Sequence, residues 1–135
     1  MRAITINPNP MTKKRIVVVE DDPAINDGVV MILERAGFSV LSFLTAKAFG
    51  SEGADGADLC LIDRQLKDAD GLDLCRRLKS DPATGHIAVI IMSASPALEE
   101  LTAEAGADAF IAKPFSRKRL LETVSRVLVN NSGNL

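Results

Sequence analysis

Five short apolar runs, separated by segments of helical period, constrain the fold of this chain more than any other feature. Each run is apolar almost without interruption, which is typical of parallel strands that are covered on both faces. The runs lie at Ile16–Val19, Val40–Phe43, Leu59–Ile62, Ala88–Met92 and Ala109–Ala112. Strand and helix alternate about five times, so the sequence predicts a doubly wound α/β sheet with right-handed crossovers.

The intervening segments carry the 3.6-residue period of amphipathic helices. The first helix is expected to have Asp22 as its N-cap, Pro23 at its first position and Gly37 as its stop. The predicted stripes are Ile25, Val29, Ile32, Leu33 and Ala36; Leu72, Cys75 and Leu78; Leu98, Leu101 and Ala105, closed by Gly106; and, after Ser116, Leu120, Leu121, Val124, Val127 and Leu128. Ala46–Gly50 is the weakest predicted helix.

The charge balance and the cysteines narrow the class of protein. With 16 basic and 18 acidic residues the net charge is −2, which gives no general attraction to nucleic acid or to an anionic membrane. No apolar run approaches the ~20 residues that span a bilayer. Cys60 and Cys75 lack metal-ligand spacing and are expected to be small core residues in a reducing compartment. We therefore expect a cytoplasmic protein without direct nucleic-acid or membrane binding.

With 135 residues, the chain is long enough to form one domain with a single core. Residues 1–14 contain Asn-Pro repeats and no periodicity, so they are predicted to form a flexible N-terminal tail. The domain itself is predicted to span residues 15–129, and residues 130–135 form a C-terminal tail. No output domain is expected to follow it.

Polar side chains collect where the predicted strands end. Glu20, Asp21 and Asp22 follow the first strand, Asp63 ends the third, Ser93 and Ser95 end the fourth, and Lys113 follows the fifth. Ligands of open parallel sheets bind at this edge. Carboxylates crowded together repel one another, and oxygen ligands without His or Cys suit Mg²⁺. A carboxylate beside Mg²⁺ can attack a phosphoryl group, whose oxygens Lys113 and Ser93 could hold.

The order and approximate spacing of six motifs identify a family. VVVEDD, LCLIDRQL, DADG, VIIMSAS, GADAF and AKPF occur in that order between Arg15 and Leu128. Together they resemble the receiver domain of two-component response regulators, here expected as a stand-alone domain. The resemblance implies a flavodoxin-like (βα)5 sandwich with a five-stranded parallel sheet in the order 2-1-3-4-5.

The resemblance also implies roles for individual residues. Asp63 corresponds to the phosphoacceptor and, with Asp21, to a direct Mg²⁺ ligand; Mn²⁺ suits the same donors. Glu20 would act on the metal through water, and Gln65 would offer its backbone carbonyl. Asp22 falls one place beyond the acidic pair and is better interpreted as the helix cap.

The same resemblance predicts a switch. Ser93 corresponds to the hydroxyl that moves to bond the phosphoryl group, and Lys113 to the lysine that pairs with that group. Phe110 takes the aromatic position that turns inward on activation, and Pro114 is expected to follow a cis peptide.

The implied function is to accept a phosphoryl group from a sensor histidine kinase or a histidine phosphotransfer protein. The domain would then present a changed surface, made by the fourth helix, fifth strand and fifth helix, to a downstream protein or to a second copy. It would be no conventional enzyme, although it would assist its own phosphorylation and dephosphorylation. Arg117, Lys118 and Arg119 either contribute to this surface or form an ordinary solvated face.

Several positions depart from the family pattern. Lys67 stands where the family usually has Pro, which is expected to loosen the loop after Asp63, and Phe110 replaces the commoner Tyr. Gln65 and Ser95 hold the variable positions that tune phosphoryl lifetime. The first two departures leave an alternative open, a receiver-like interaction module that works without phosphorylation.

Overall fold

The computed structural model describes residues 13–95 and 99–132 and contains one parallel sheet in the order β2-β1-β3-β4-β5. The strands are β1 (Arg15–Val19), β2 (Ser39–Phe43), β3 (Leu59–Asp63), β4 (Ala88–Ser93) and β5 (Ala109–Ala112). The helices are α1 (Pro23–Arg35), α2 (Ala46–Phe49), α3 (Gly71–Ser80), α4 (Glu99–Glu104) and α5 (Arg117–Ser132). The predicted flavodoxin-like architecture and strand order are confirmed.

Two hydrophobic clusters, one on each face, enclose the sheet. On one face Leu59 and Leu61 of β3 pack with α1 and α5, and on the other Cys60 and Ile62 pack with α2 and α3. Every residue of β3 is buried, because side chains of a strand alternate between faces that are both covered. The apolar runs of β1, β3 and β4 are therefore buried as the sequence indicated. The prediction is wrong for β2, which pairs with β1 alone at the edge of the sheet and exposes Leu41, and β5 is only partly buried.

The limits of α1 follow the predicted signals. The Asp22 carboxylate accepts hydrogen bonds from the backbone N–H groups of Ala24 (2.9 Å) and Ile25 (3.2 Å), as an N-cap does. Gly37, just past the helix, has φ of +100°. The predicted apolar stripe extends one residue too far, because Ala36 is exposed.

Two other predictions need correction or stay open. Ala105, just after α4, is buried as predicted, but Leu101 is 39% exposed and Thr102 is buried instead. Leu98 lies outside the described residues. α5 continues to Ser132, so the segment predicted as a C-terminal tail starts within a helix.

The predicted N-terminal tail lies outside the described residues except for Lys13 and Lys14. The carbonyl of Lys14 already accepts a hydrogen bond from the N–H of Ser39 (3.0 Å). The domain boundaries themselves remain a prediction. Within the described part of the chain, no helix has the length and apolar character needed to cross a membrane.

Gly28 and Gly37 provide a matched test of backbone conformation. A Cβ atom added at either position would meet no atom within 4 Å, but only Gly37 has a positive φ. We expect Gly28→Ala, inside α1, to raise the free energy of unfolding by about 0.5–1 kcal/mol. Gly37→Ala should lower it by about 1 kcal/mol because alanine resists this conformation. Urea unfolding measures both, and changes of the same sign would contradict the assignment.

Candidate functional site

Residues far apart in sequence meet at the carboxyl edge of the sheet. Glu20 and Asp21 follow β1, Asp63 is the last residue of β3, and Lys113 follows β5. The Nζ atom of Lys113 lies 2.6 Å from Glu20 Oε1 and 3.2 Å from Asp63 Oδ1. One carboxylate oxygen from each of Glu20, Asp21 and Asp63 lies within 4.8 Å of the others. The structure thus brings together four of the residues that the sequence singled out.

The Lys113 ammonium group sits between two carboxylates that are almost inaccessible to water. Glu20 is 1% exposed and Asp63 is 5% exposed. Burial is the largest influence on Glu20 and raises its pKa, and the charge of Asp63 raises it as well. The hydrogen bonds from Lys113 and from the backbone N–H of Asp22 lower this pKa, but the net shift is upward. Burial lowers the pKa of Lys113, but its hydrogen bond to Glu20 and the charge of Asp63 outweigh burial and raise it. Lys113 therefore remains a cation.

One ammonium group faces three carboxylates, so the cluster keeps excess negative charge when all are ionised. Its donors are oxygens, without His or Cys, which suits a hard divalent cation such as Mg²⁺ or Mn²⁺. Gln65 lies in the loop just after β3, with its backbone N–H 3.4 Å from Asp63 Oδ1. These residues fit a divalent cation by charge and by donor type.

Gly71 allows α3 to begin directly against the end of β3. A Cβ atom at this position would lie 2.2 Å from the carbonyl oxygen of Asp63 and 2.9 Å from the Cα of Arg64. Asp70 caps the same helix by accepting a hydrogen bond from the N–H of Leu72 (2.9 Å). The DADG motif therefore fixes the backbone that carries Asp63.

Sequence reasoning missed Asn26, whose side chain forms hydrogen bonds with the backbone of the acidic segment. Its side chain is buried, and its Nδ2 donates to the carbonyls of Glu20 (3.0 Å) and Phe43 (3.2 Å). It thereby joins the ends of β1 and β2 one residue before Asp21. The signal was available: Asn26, Val29 and Leu33 share the buried stripe of α1, where a polar residue needs hydrogen-bond partners.

The β3–α3 loop, residues 64–70, forms hydrogen bonds with Asp21 after β1 and with the first turn of α2. The backbone N–H of Lys67 donates to Asp21 Oδ2 at 2.7 Å. The carboxylate of Asp68 accepts from the backbone N–H groups of Ala46 (3.0 Å) and Lys47 (2.9 Å). Lys67 was expected to loosen this loop, but its amide adds a hydrogen bond that proline cannot make.

The predicted switch residues lie on the neighbouring strands β4 and β5. Ser93 is buried, and its Oγ accepts a hydrogen bond from the N–H of Ser95 (3.0 Å). Phe110 is partly buried and lines a groove of about 200 Å³ between α4 and β5, together with Glu99 and Thr102. The peptide bond between Lys113 and Pro114 is cis, as the family resemblance implied.

An apolar groove of about 350 Å³ lies beside Lys113, between α1 and the segment after β5. Besides Lys113, it is lined by Ile25, Gly28, Val29, Ile32, Ala94, Pro114 and Phe115. The predicted basic cluster is exposed at the start of α5. Within residues 13–95 and 99–132, no other segment covers either surface.

Comparison with known proteins identifies a family model and several regulatory proteins that are similar to this chain. The family model described as response regulator receiver domain matches residues 16–125. A probable transcriptional regulatory protein of Picosynechococcus is 36% identical over 126 residues, covering 87% of this chain and 50% of that protein. The phosphate regulon transcriptional regulatory protein PhoB of Pseudomonas aeruginosa is 33% identical, covering 87% and 53%. The chain spans about half the length of the curated relatives it matches.

Solved structures resemble the whole sheet and its helices. A CheY-like response regulator receiver domain protein from Methanospirillum hungatei superposes with a TM-score of 0.84 at 29% identity, covering 92% of this chain and all of that one. The BeF3-activated receiver domain of DrrB, from Thermotoga maritima, gives 0.77 at 29% identity, covering 87% and 98%.

Removing the ammonium group tests the electrostatics of the cluster. We expect Lys113→Met to raise the pKa of Glu20 further, because the Lys113 hydrogen bond and charge both lower it. Carboxyl-detected NMR titration of the metal-free protein measures this pKa. The free energy of unfolding at pH 7 should fall by about 2 kcal/mol, since buried Glu20 loses its partner.

The stability deficit of Lys113→Met should shrink as pH falls through the raised pKa of Glu20, because protonated Glu20 needs no cation. Lys118→Met removes the same charge from the exposed start of α5 and should leave the pKa of Glu20 unchanged. Equal pKa values in the two variants would contradict this description.

Proposed function

The chain belongs to the response regulator receiver domain family, and from this membership we propose that Asp63 accepts a phosphoryl group from a histidine kinase or a histidine phosphotransfer protein in a Mg²⁺-dependent reaction. The observation that carries the proposal is the contact of Lys113 Nζ with both Glu20 and Asp63, beside the carboxylate of Asp21. This cluster offers a nucleophile, a fixed cation and ligands for a second one.

In the proposed reaction an oxygen of Asp63 attacks the phosphorus of the donor's phosphohistidine. The new O–P bond forms as the P–N bond breaks, and the electron pair of that bond stays with the imidazole nitrogen. Lys113 holds the oxygens of the transferred group by its charge, and the Ser93 hydroxyl donates a hydrogen bond to one of them. Hydrolysis of the resulting acyl phosphate releases inorganic phosphate and restores the free carboxylate of Asp63, with the same side chains holding the phosphoryl group.

We assign the metal to Asp21, Asp63 and the backbone carbonyl of Gln65, with Glu20 acting through water. When bound, Mg²⁺ neutralises negative charge on the carboxylates and phosphoryl oxygens. Mn²⁺ suits the same donors. Lys113 holds Glu20 more closely (2.6 Å) than it holds Asp63 (3.2 Å), which supports an indirect rather than a direct role for Glu20.

The apolar groove beside Lys113 supports a protein phosphodonor rather than a free small molecule as the natural source. It opens next to the acceptor cluster and is lined almost wholly by apolar side chains. A helix that carries phosphohistidine could pack its apolar residues there while presenting the phosphorus to Asp63.

The proposed output is a change in the surface formed by α4, β5 and α5. Ser93 would leave its bond with the N–H of Ser95 for the phosphoryl group, and Phe110 would turn inward from the groove between α4 and β5. Moving such an equilibrium from mostly off to mostly on requires about 5 kcal/mol of differential binding. The altered surface would meet a downstream protein or a second copy. Several curated relatives are named as transcriptional regulators, but the net charge of −2 favours a protein partner for this chain.

Phosphorylation-independent interaction is the second candidate. Lys67 and Phe110 depart from the family pattern, and this favours it. The intact contacts among Glu20, Asp63 and Lys113 favour phosphorylation, because an interaction module has no use for them.

Acetyl phosphate tests the acceptor. With Mg²⁺ present, we expect the intact mass of the protein to increase by one phosphoryl group, and Asp63→Asn to abolish the increase because the amide is not nucleophilic. Asp55→Asn is the matched control, since Asp55 is exposed and lies in the segment between α2 and β3.

Beryllofluoride extends this test, because some receivers take phosphoryl groups only from their kinase. We expect amide shifts around Asp63 and Ser93 that depend on Mg²⁺. A protein that gains no mass and shows no beryllofluoride response would contradict phosphorylation and favour the interaction module.

Ser93→Ala tests the switch separately from acceptance. We expect this variant to bind beryllofluoride but to lose the amide shifts at Phe110, because no hydroxyl links the phosphoryl mimic to β4. Ser95→Ala keeps the Ser93 hydroxyl and should retain those shifts. Loss of the Phe110 shifts in Ser95→Ala alone would assign the switch to Ser95 instead.

A further inference from the structure

Asp21 is held differently from the other two carboxylates of the cluster. Glu20 and Asp63 both contact Lys113, whereas the carboxylate of Asp21 accepts its hydrogen bond from the backbone N–H of Lys67, at 2.7 Å across 46 residues of sequence. Within residues 13–95 and 99–132 this is the one hydrogen bond to the Asp21 carboxylate. The orientation of Asp21 therefore depends on the β3–α3 loop rather than on Lys113.

The bond occupies Asp21 Oδ2 and restricts rotation of the carboxylate. A hydrogen bond to a metal ligand from outside the metal's own ligand set fixes the direction in which that ligand presents its oxygens. The donor here belongs to the main chain, so any residue with an N–H at position 67 can supply it. Proline, which the family usually has at this position, cannot.

The adjacent residue ties the same loop to α2. Both oxygens of the Asp68 carboxylate accept backbone N–H groups, from Ala46 at 3.0 Å and Lys47 at 2.9 Å. These two bonds hold the pKa of Asp68 below its usual value. Neighbouring residues of one loop thus contact the acidic cluster on one side and the first turn of α2 on the other.

We propose that Lys67 is a positioning residue whose backbone N–H orients Asp21 for a divalent cation, and that Lys67 and Asp68 together link cation binding to the start of α2. The inference rests on the proposed function for the identity of the cation site. A cation that draws Asp21 into its ligand set pulls on the Lys67 amide, and the loop carries this displacement to Asp68 and to the N–H groups that it caps.

The test compares Lys67→Pro with Lys67→Ala in the full chain, without any phosphodonor. Lys67→Ala removes the side-chain charge but keeps the N–H, and Lys67→Pro removes both, so their difference isolates the N–H. We expect the Mg²⁺ dissociation constant of Lys67→Pro, measured by calorimetry, to be about tenfold higher than that of Lys67→Ala. If Lys67→Pro does not fold, a backbone ester in place of the Lys67 amide removes the N–H without the proline ring.

The link to α2 has its own readout. In the wild type, titration with Mg²⁺ should shift the amide signals of Ala46 and Lys47. Asp68→Ala should abolish these shifts while its Mg²⁺ affinity stays close to that of the wild type, because Asp21 and Lys67 are unchanged.

Equal Mg²⁺ affinities in Lys67→Pro, or its ester equivalent, and Lys67→Ala would overturn the positioning role. Shifts at Ala46 and Lys47 that persist in Asp68→Ala would overturn the link to α2. Both failures leave the proposed function intact as long as the wild type binds Mg²⁺. A wild type that binds no Mg²⁺ would contradict the metal dependence of the proposed function, and this inference with it.

Discussion

The site depends on one ammonium group placed between two buried carboxylates. Glu20 follows β1 and Asp63 ends β3, and burying both charges without a partner would be costly. Lys113 follows β5, so its long side chain must cross the end of β4 to reach them, at 2.6 and 3.2 Å. The sheet order places β1 and β3 side by side and β5 one strand beyond β3, which links the topology to the electrostatics.

Three local contacts hold the backbone segments that carry these charged residues. Gly71 lets α3 start within van der Waals range of the Asp63 carbonyl, and buried Asn26 holds the ends of β1 and β2 together beneath the acidic segment. The backbone N–H of Lys67 donates a hydrogen bond to the Asp21 carboxylate. A cation site whose ligands are fixed before binding loses less conformational entropy when the cation arrives.

Sequence patterns were sufficient for the strands and for the side chains that follow them. Continuous apolar runs predict buried parallel strands, and the carboxyl ends of such strands meet at one edge, so Asp21, Asp63 and Lys113 could be grouped without coordinates. The Lys67 contact could not be predicted, because a main-chain N–H is present at every residue except proline and leaves no trace in a pattern of side chains. The burial of Ala105 was predicted, but that of Thr102 was not, since packing buries Thr102 rather than the more apolar Leu101.

Among several neighbouring carboxylates, Asp63 is the one that we propose becomes phosphorylated. Borohydride reduces an aspartyl acyl phosphate to homoserine, so peptide mapping after treatment with a phosphodonor and Mg²⁺ identifies the modified residue. Phosphorylation of Asp63 should yield homoserine at position 63 and nowhere else. Homoserine at position 21 or 22, with residue 63 unmodified, would contradict it.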